Sequence, residues 1–220
     1  MHRIVCLANS TKLGGHCVAG RVIASSGPGM WIRPVSDRPN EELSPLERCY
    51  ADAIEPAVLD VVELGLLEHR PHLHQRENWL IDPTRRWRRL GTLLAEPAIL
   101  EPFVSPEAEL WAGDSNSAHG ISDRVTLEQA ELSGESLRFI CVLRAYLAVQ
   151  LVNDSWKSRI AFEYGGVEYN LAVTDPTYNA PRDGLTRARV ELGRTYLTVS
   201  LGEPFHGFCY KLVAAIVEAP

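Results

Sequence analysis

The sequence predicts a mainly β chain built from small barrels with one helical insertion, and three observations carry that expectation. Short apolar runs recur along the whole chain, separated by clusters of Gly, Pro, Ser and Asn. The stretch RIAFEYGGVEYNLAVTDP holds two alternating runs around Gly165-Gly166, the pattern of a two-residue hairpin turn with positive φ. One segment, DPTRRWRRLGTLLAEP, has helical spacing instead. Many short strands with turn signals, plus one inserted helix, argue for small barrels.

The first third offers strands over Arg3–Ala8, Cys17–Ala24, Met30–Val35 and Val58–Leu66. Between the first two lies LANSTKLGGHCVAG, whose lysine, hydroxyls and paired glycines invite comparison with a phosphate loop. A Walker loop places its glycines before Lys-Ser/Thr and then enters a helix, whose N-terminal amides face the phosphate. Here Lys12 precedes the glycines and CVAGRVI is strand-like, so order and context both fail. The stretch reads as strand–loop–strand. Asn9, Ser10 and Lys12 are either a polar binding rim or part of an ordinary hairpin.

In the helical candidate, Asp82 suits an N-cap and Pro83 the first helical position, with the helix running over 83–96. Trp87, Leu90 and Leu94 would then form its inward stripe. Residues 104–122 are polar and small and read as a long loop or inter-domain connection. In the hairpin, the Gly-Gly turn pairs Tyr164 with Val167, Phe162 with Tyr169 and Ile160 with Leu171, giving one apolar face. The same register sets Glu163 opposite Glu168, so a basic neighbour or a solvated face is expected there. In TYLTVSL, Leu197, Val199 and Leu201 share a face. FCYKLVAAIV, from Phe208, is apolar on both faces and reads as a central or barrel-closing strand.

Composition narrows function. The 220 residues carry 22 basic and 28 acidic side chains, a formal charge of −6, and residues 1–110 hold 12 basic against 15 acidic. Neither half is a basic domain, so any nucleic-acid role must use a local patch. The five cysteines, at 6, 17, 49, 141 and 209, are scattered and odd in number, which fits reduced thiols. MHRIVCLAN lacks the pattern of a signal peptide, and LRFICVLRAYLAVQLV is too short and too charged to span a bilayer. A cytoplasmic protein without membrane partners is expected.

Several motifs remain to be weighed. His69, His72 and His74 are the best metal candidate, yet no Cys or carboxylate follows at a convincing spacing, so exposed loop histidines and no metal are expected. Arg85, Arg86, Arg88 and Arg89 would oppose the dipole of a helix. A phosphate backbone would offset them, as would the acids Glu96, Glu101, Glu107 and Glu109. Lys211 sits in an otherwise apolar strand, so it must meet a carboxylate, reach a rim or line a ligand site. Arg33, in WIRPV, poses the same question beside Trp31. Asp175 in VTDP reads as a turn former. No G-x-S-x-G, H-E-x-x-H or Cys-x-x-Cys pattern is present.

Six separated blocks together carry a resemblance. They are LANS-x-K-x-x-G-x-C-x-AG, WIRPV, ENWLID, G-x-SDRV at Gly120–Val125, F-x-Y-x-G-x-x-Y-x-L-x-VTDP, and SLGEPF-x-G-x-CYKLVAAI. In this order the chain resembles bacterial dual OB-domain-containing proteins over nearly its whole length. The resemblance implies two OB-like β-barrels, residues 1–118 with the helical insertion and residues 119–220. It also implies a role in binding nucleic acid or nucleotides, and it brings no catalytic residues with it. The expectation is a non-catalytic binding module for single-stranded nucleic acid or a nucleotide, without a cofactor. Its candidate contacts are Asn9, Ser10, Lys12, Arg33, Arg124, Tyr210 and Lys211. The alternatives are an enzyme acting on a nucleotide or modified base through Asp123, Asp175 and Lys211, and a scaffold for a protein partner.

Overall fold

A computed structural model describes residues 1–12, 15–113, 115–152, 154–178 and 189–220. It divides into two compact units, Met1–Phe103 and Val104–Pro220. The N-terminal unit holds β1 (His2–Lys12), β2 (Gly15–Ala24), β3 (Gly27–Val35), the one-turn helix α1 (Pro45–Arg48), β4 (Asp60–Leu64), β5 (Leu66–His69), β6 (Asn78–Ile81), β7 (Arg88–Thr92) and α2 (Pro97–Leu100). Its strands pair in the order β5-β6-β3-β2-β1-β4-β7. The pair β3–β6 is parallel, with Arg33 opposite Asn78, and the other pairs are antiparallel.

That order has a geometric consequence. β4 pairs with β1 near one end of the sheet and β5 pairs with β6 at the other, yet only Gly65 separates them in the chain. The sheet must therefore curl until its ends approach one another. The Gly65 carbonyl accepts a hydrogen bond from Asp82 N (3.0 Å), which fixes the break. Inside the curl pack Ile4, Cys6, Val18, Ile32, Val62 and Leu64, with the fully buried Trp87 among them.

The C-terminal unit contains β8 (Arg124–Thr126), α3 (Leu127–Ser133), β9 (Leu137–Val142), β10 (Ala145–Val152), β11 (Ser155–Tyr164), β12 (Val167–Val173), β13 (Arg189–Leu192), β14 (Thr195–Phe205) and β15 (Phe208–Glu218). The order is β13-β10-β11-β12-β15-β14-β9, with β8 added alongside β15. Here β9 and β10, joined by Leu143 and Arg144, stand toward opposite ends, so this sheet curls too. Val142, Ala145, Ile160, Leu171, Leu197 and Val213 meet in its core. Among the described residues no hydrogen-bonded ladder closes either sheet into a barrel. α3 is short but well capped: Gln129 N donates to Thr126 Oγ1, and the Gln129 side chain accepts from Thr126 N.

The expected hairpin is β11–β12, with the pairs Ile160–Leu171, Phe162–Tyr169, Tyr164–Val167 and Glu163–Glu168 in register. Gly165 and Gly166 both take positive φ, as a type I′ turn requires. A Cβ on Gly165 would lie 1.9 Å from the Ala108 carbonyl oxygen. FCYKLVAAIV forms β15, a central strand between β12 and β14, and its pairing with β12 is parallel.

Two expectations are corrected. Residues 83–96 form no helix. The Asp82 carboxylate accepts from Thr84 N and Thr84 Oγ1, turning the chain locally, and Arg88–Thr92 then pairs with β4 as an edge strand. Of the expected stripe only Trp87 is buried, while Leu90 and Leu94 are exposed. Of the two readings of residues 104–122, the long loop holds for the described residues and the inter-domain connection does not. The segment packs as irregular chain within the C-terminal unit: Leu110 and Trp111 join its core, Tyr164 Oη donates to Glu107 O, and Trp111 Nε1 donates to Glu135 O (2.8 Å).

Candidate functional site

The seven candidate contacts divide between the units. On β1, Asn9 donates from Nδ2 to Pro56 O (2.7 Å), and its Oδ1 lies 2.7 Å from His16 Nδ1. Ser10 is buried opposite Cys17. Lys12 ends the ladder opposite Gly15, and its side chain lies outside the described residues. Arg33 is nine-tenths buried, with Nη2 2.9 Å from Glu77 Oε1. β3 turns this cation inward, and the adjoining parallel strand brings the acid to meet it.

The other three stand in the C-terminal unit. Arg124 and Tyr210 face each other in register across β8 and β15, and Lys211 follows. All three line an open cleft of about 440 Å³ together with Ser117, His119 and Arg159. Lys211 is 1% exposed. Its Nζ donates to Gly113 O (3.3 Å) and lies 5.1 Å from the centroid of the Tyr169 ring. The cation expected to need a buried partner therefore has a carbonyl dipole and an aromatic face.

Arg124 is held at the cleft by two contacts. Its guanidinium sits over the Phe208 ring, 4.0 Å from the centroid, and Nε donates to Ser115 Oγ (3.0 Å). Neither terminal nitrogen has a partner among the described residues, so both can donate to an incoming anion. Arg159 reaches the same cleft from β11. It donates to Asn170 through Nε and Nη2, and Nη2 lies 3.5 Å from Asp123 Oδ2. Burial lowers the Arg159 pKa and Asp123 opposes that shift, so the group stays cationic at neutral pH. Asp123 is itself saturated, accepting from Ser117 N (2.7 Å) and Ser117 Oγ (2.6 Å). A Cβ on Gly120 would meet its carboxylate at 1.8 Å, which explains a glycine before SDRV.

Beyond Tyr210 the β14–β15 hairpin ends in Phe205-His206-Gly207-Phe208. His206 and Gly207 both have positive φ, again a two-residue turn. Phe205 is 61% exposed, edge-on to His206 at 4.2 Å and 6.5 Å from the Tyr210 ring. A second cleft, of about 640 Å³, lies over the outward side chains of β10–β12 and is lined by Ile121, Tyr146, Ala161, Glu163, Glu168 and Arg189. Arg189 covers Tyr146 at 4.1 Å. The facing glutamates are solvated, and Arg144 and Arg189 share their cleft.

Arg159, Phe205, Tyr146 and Arg189 were not singled out by sequence. Arg159 and Tyr146 had a usable signal, since each takes the outward phase of an alternating strand, whereas Phe205 follows a register shift in β14 that breaks the alternation. Arg189 follows residues 179–188, which lie outside the described residues, and no alternation marks it.

Other chemistry finds little here. Asp175 accepts from Thr177 N (2.9 Å) and Ile216 N (3.0 Å), the turn-forming role expected of it. Burial pushes the Cys209 thiol up to about 11, far from a reactive thiolate. Among the described residues no three His, Cys, Asp or Glu side chains gather to hold a metal ion. His74 is buried rather than exposed, whereas His69 lies at the surface with Nε2 2.5 Å from Arg76 O. No helix among the described residues is long and apolar enough to cross a membrane.

The family described as dual OB-containing domain matches residues 2–216, nearly the whole chain. The chain belongs to that family. No curated protein and no solved structure gives a match.

Proposed function

We propose that this dual OB-containing chain is a binding module whose C-terminal unit takes single-stranded nucleic acid, or a nucleotide, in the cleft of Arg124, Arg159 and Tyr210. The observation that carries the reading is the preorganised Arg124, stacked on Phe208 and tied to Ser115, with its terminal nitrogens directed to no described partner. Two guanidiniums with the half-buried Tyr210 and the exposed Phe205 suit a ligand that alternates phosphates with flat bases. Asp123 offsets Arg159 and is otherwise held by Ser117, and it makes no ion pair with Arg124 among the described residues. Phe205 and Tyr210 supply the ring surfaces, and OB folds use such loops and strand faces for oligonucleotides.

The acid–base reading of Asp123, Asp175 and Lys211 draws no support from this geometry, since structural hydrogen bonds occupy both carboxylates. A protein scaffold would also make use of an exposed Phe205. The paired arginines next to it favour a phosphate-bearing ligand instead.

The test is fluorescence anisotropy of a labelled single-stranded oligonucleotide. Arg124→Gln and Phe205→Ala are each expected to weaken binding, the latter by roughly 5- to 150-fold for one lost base stack. Undiminished binding by both folded variants would remove this cleft from the interface.

A further inference from the structure

The arginine run of residues 85–89 is not part of the cleft, and its placement gives it a use. Residues 88–92 form β7, the edge strand of the N-terminal sheet, and all five are exposed. Arg88 lies opposite Glu63 of β4, and Glu63 lies opposite Arg3 of β1, so three charges stand in a row across three strands. One carboxylate serves two guanidiniums: Arg3 Nε is 3.3 Å from Glu63 Oε1, and Arg88 Nη1 is 3.0 Å from Oε2. Both arginine side chains remain about two-thirds exposed, at 65% and 68%. Arg85 pairs with Asp82 at 3.1 Å. Among the described residues Arg86 donates only to the backbone oxygen of Leu46 (2.9 Å), and Arg89 lies over the Tyr50 ring at 5.9 Å.

Among the described residues these five arginines thus share two carboxylates, an excess of three positive charges toward one end of the sheet in a protein whose net charge is −6. The acids expected from sequence to offset the run, Glu96 to Glu109, do not pair with it. Asp82 and Glu63 do, and incompletely. The guanidinium ends of these pairs stay in water and keep N–H donors that a further anion can take up. A guanidinium fork fits a phosphate through two parallel hydrogen bonds. We infer that the β7 edge is a sequence-independent contact for a nucleic-acid phosphate backbone, acting through Arg86, Arg88 and Arg89, with Arg3 and Arg85 beside them. This rests on the nucleic-acid reading of the C-terminal cleft and adds an electrostatic contact in the other unit.

The experiment measures the affinity of the full chain for oligothymidylate as a function of KCl. Each cation on a single-stranded backbone contributes about 0.7 to the slope of log K against log salt. The triple variant R86Q/R88Q/R89Q is expected to lower that slope by about 2, and the corresponding triple lysine variant to keep it. If the glutamine variant does not fold, the double reversal R3E/R85E is expected to lower the slope as well. An unchanged slope in a folded variant overturns the inference and leaves the cleft reading standing. Loss of binding to anionic lipid vesicles with an unchanged oligonucleotide slope overturns it in favour of a membrane surface. Absence of any wild-type binding at low salt overturns both readings.

Discussion

In the N-terminal unit the strand that reaches both ends of the sheet is broken at Gly65, late in the order of strands. In the C-terminal unit it is broken at Leu143–Arg144, near the start. Both sheets otherwise repeat one scheme. Three antiparallel strands in sequence are followed by a parallel partner, β6 for β3 and β15 for β12. Curling the sheet needs one strand long enough to serve two edges, but not a particular one. The break itself therefore says little about function. What separates the units is how each treats its inward cation and which side chains it leaves outside.

Arg33 in the first unit faces the buried Glu77 carboxylate, and Lys211 in the second donates to Gly113 O and lies near the Tyr169 ring. The sharpest way to test this contrast is Arg33→Ala. It removes the guanidinium that Glu77 meets in the interior and is expected to cost about 3–5 kcal/mol. Denaturant unfolding followed by hydrogen exchange should show the loss confined to residues 1–103, and uniform loss over both units would break the comparison. A smaller effect is expected in the second unit from Gly165→Ala. The new methyl group meets the Ala108 carbonyl, and the residue keeps positive φ, at a cost of about 1–3 kcal/mol. Exchange should rise first around residues 105–111, which the hairpin tip holds. Unaltered stability there would mean the irregular segment moves aside freely.

The smallest effect concerns pH. Burial, then Arg48, holds the His16 pKa below its ordinary 6.5, with Glu55 opposing. Below pH 6.5 the unfolded chain binds a proton that the folded chain refuses, so the first unit loses stability as pH falls from 6.5 to the depressed folded value. His16→Asn should flatten that dependence while the second unit keeps its own. An identical slope in the variant would assign the pH response to other groups.

The parts legible in the sequence were those governed by short-range rules. A strict period of two around Gly165-Gly166 leaves one register that buries Ile160, Phe162, Tyr169 and Leu171, and that register is present. The unbroken apolar run from Phe208 was likewise enough to place β15 in the middle of a sheet. The arginine segment misled because Asp-Pro suits a turn as well as a helix start. Only tertiary pairing with β4 decides between them. The segment at 104–122 carries no period because its contacts run from single side chains to carbonyls. Of the candidate contacts, Arg124, Tyr210 and Lys211 do meet in one cleft, and the alternation of β11 already placed Arg159 outward. No local pattern could reveal that Arg124 would lie over Phe208, since β8 pairs with a strand more than eighty residues away.

The position of β15 in both sheet order and chain order has one more consequence, for synthesis. A ribosome delivers every strand of the first unit by Thr92, so that sheet can assemble while translation continues. The second unit holds β8 to β14 with nothing to lie between β12 and β14 until Phe208–Glu218 emerges. Until then both strands present unpaired backbone edges, the surfaces on which nascent chains aggregate or recruit holding chaperones.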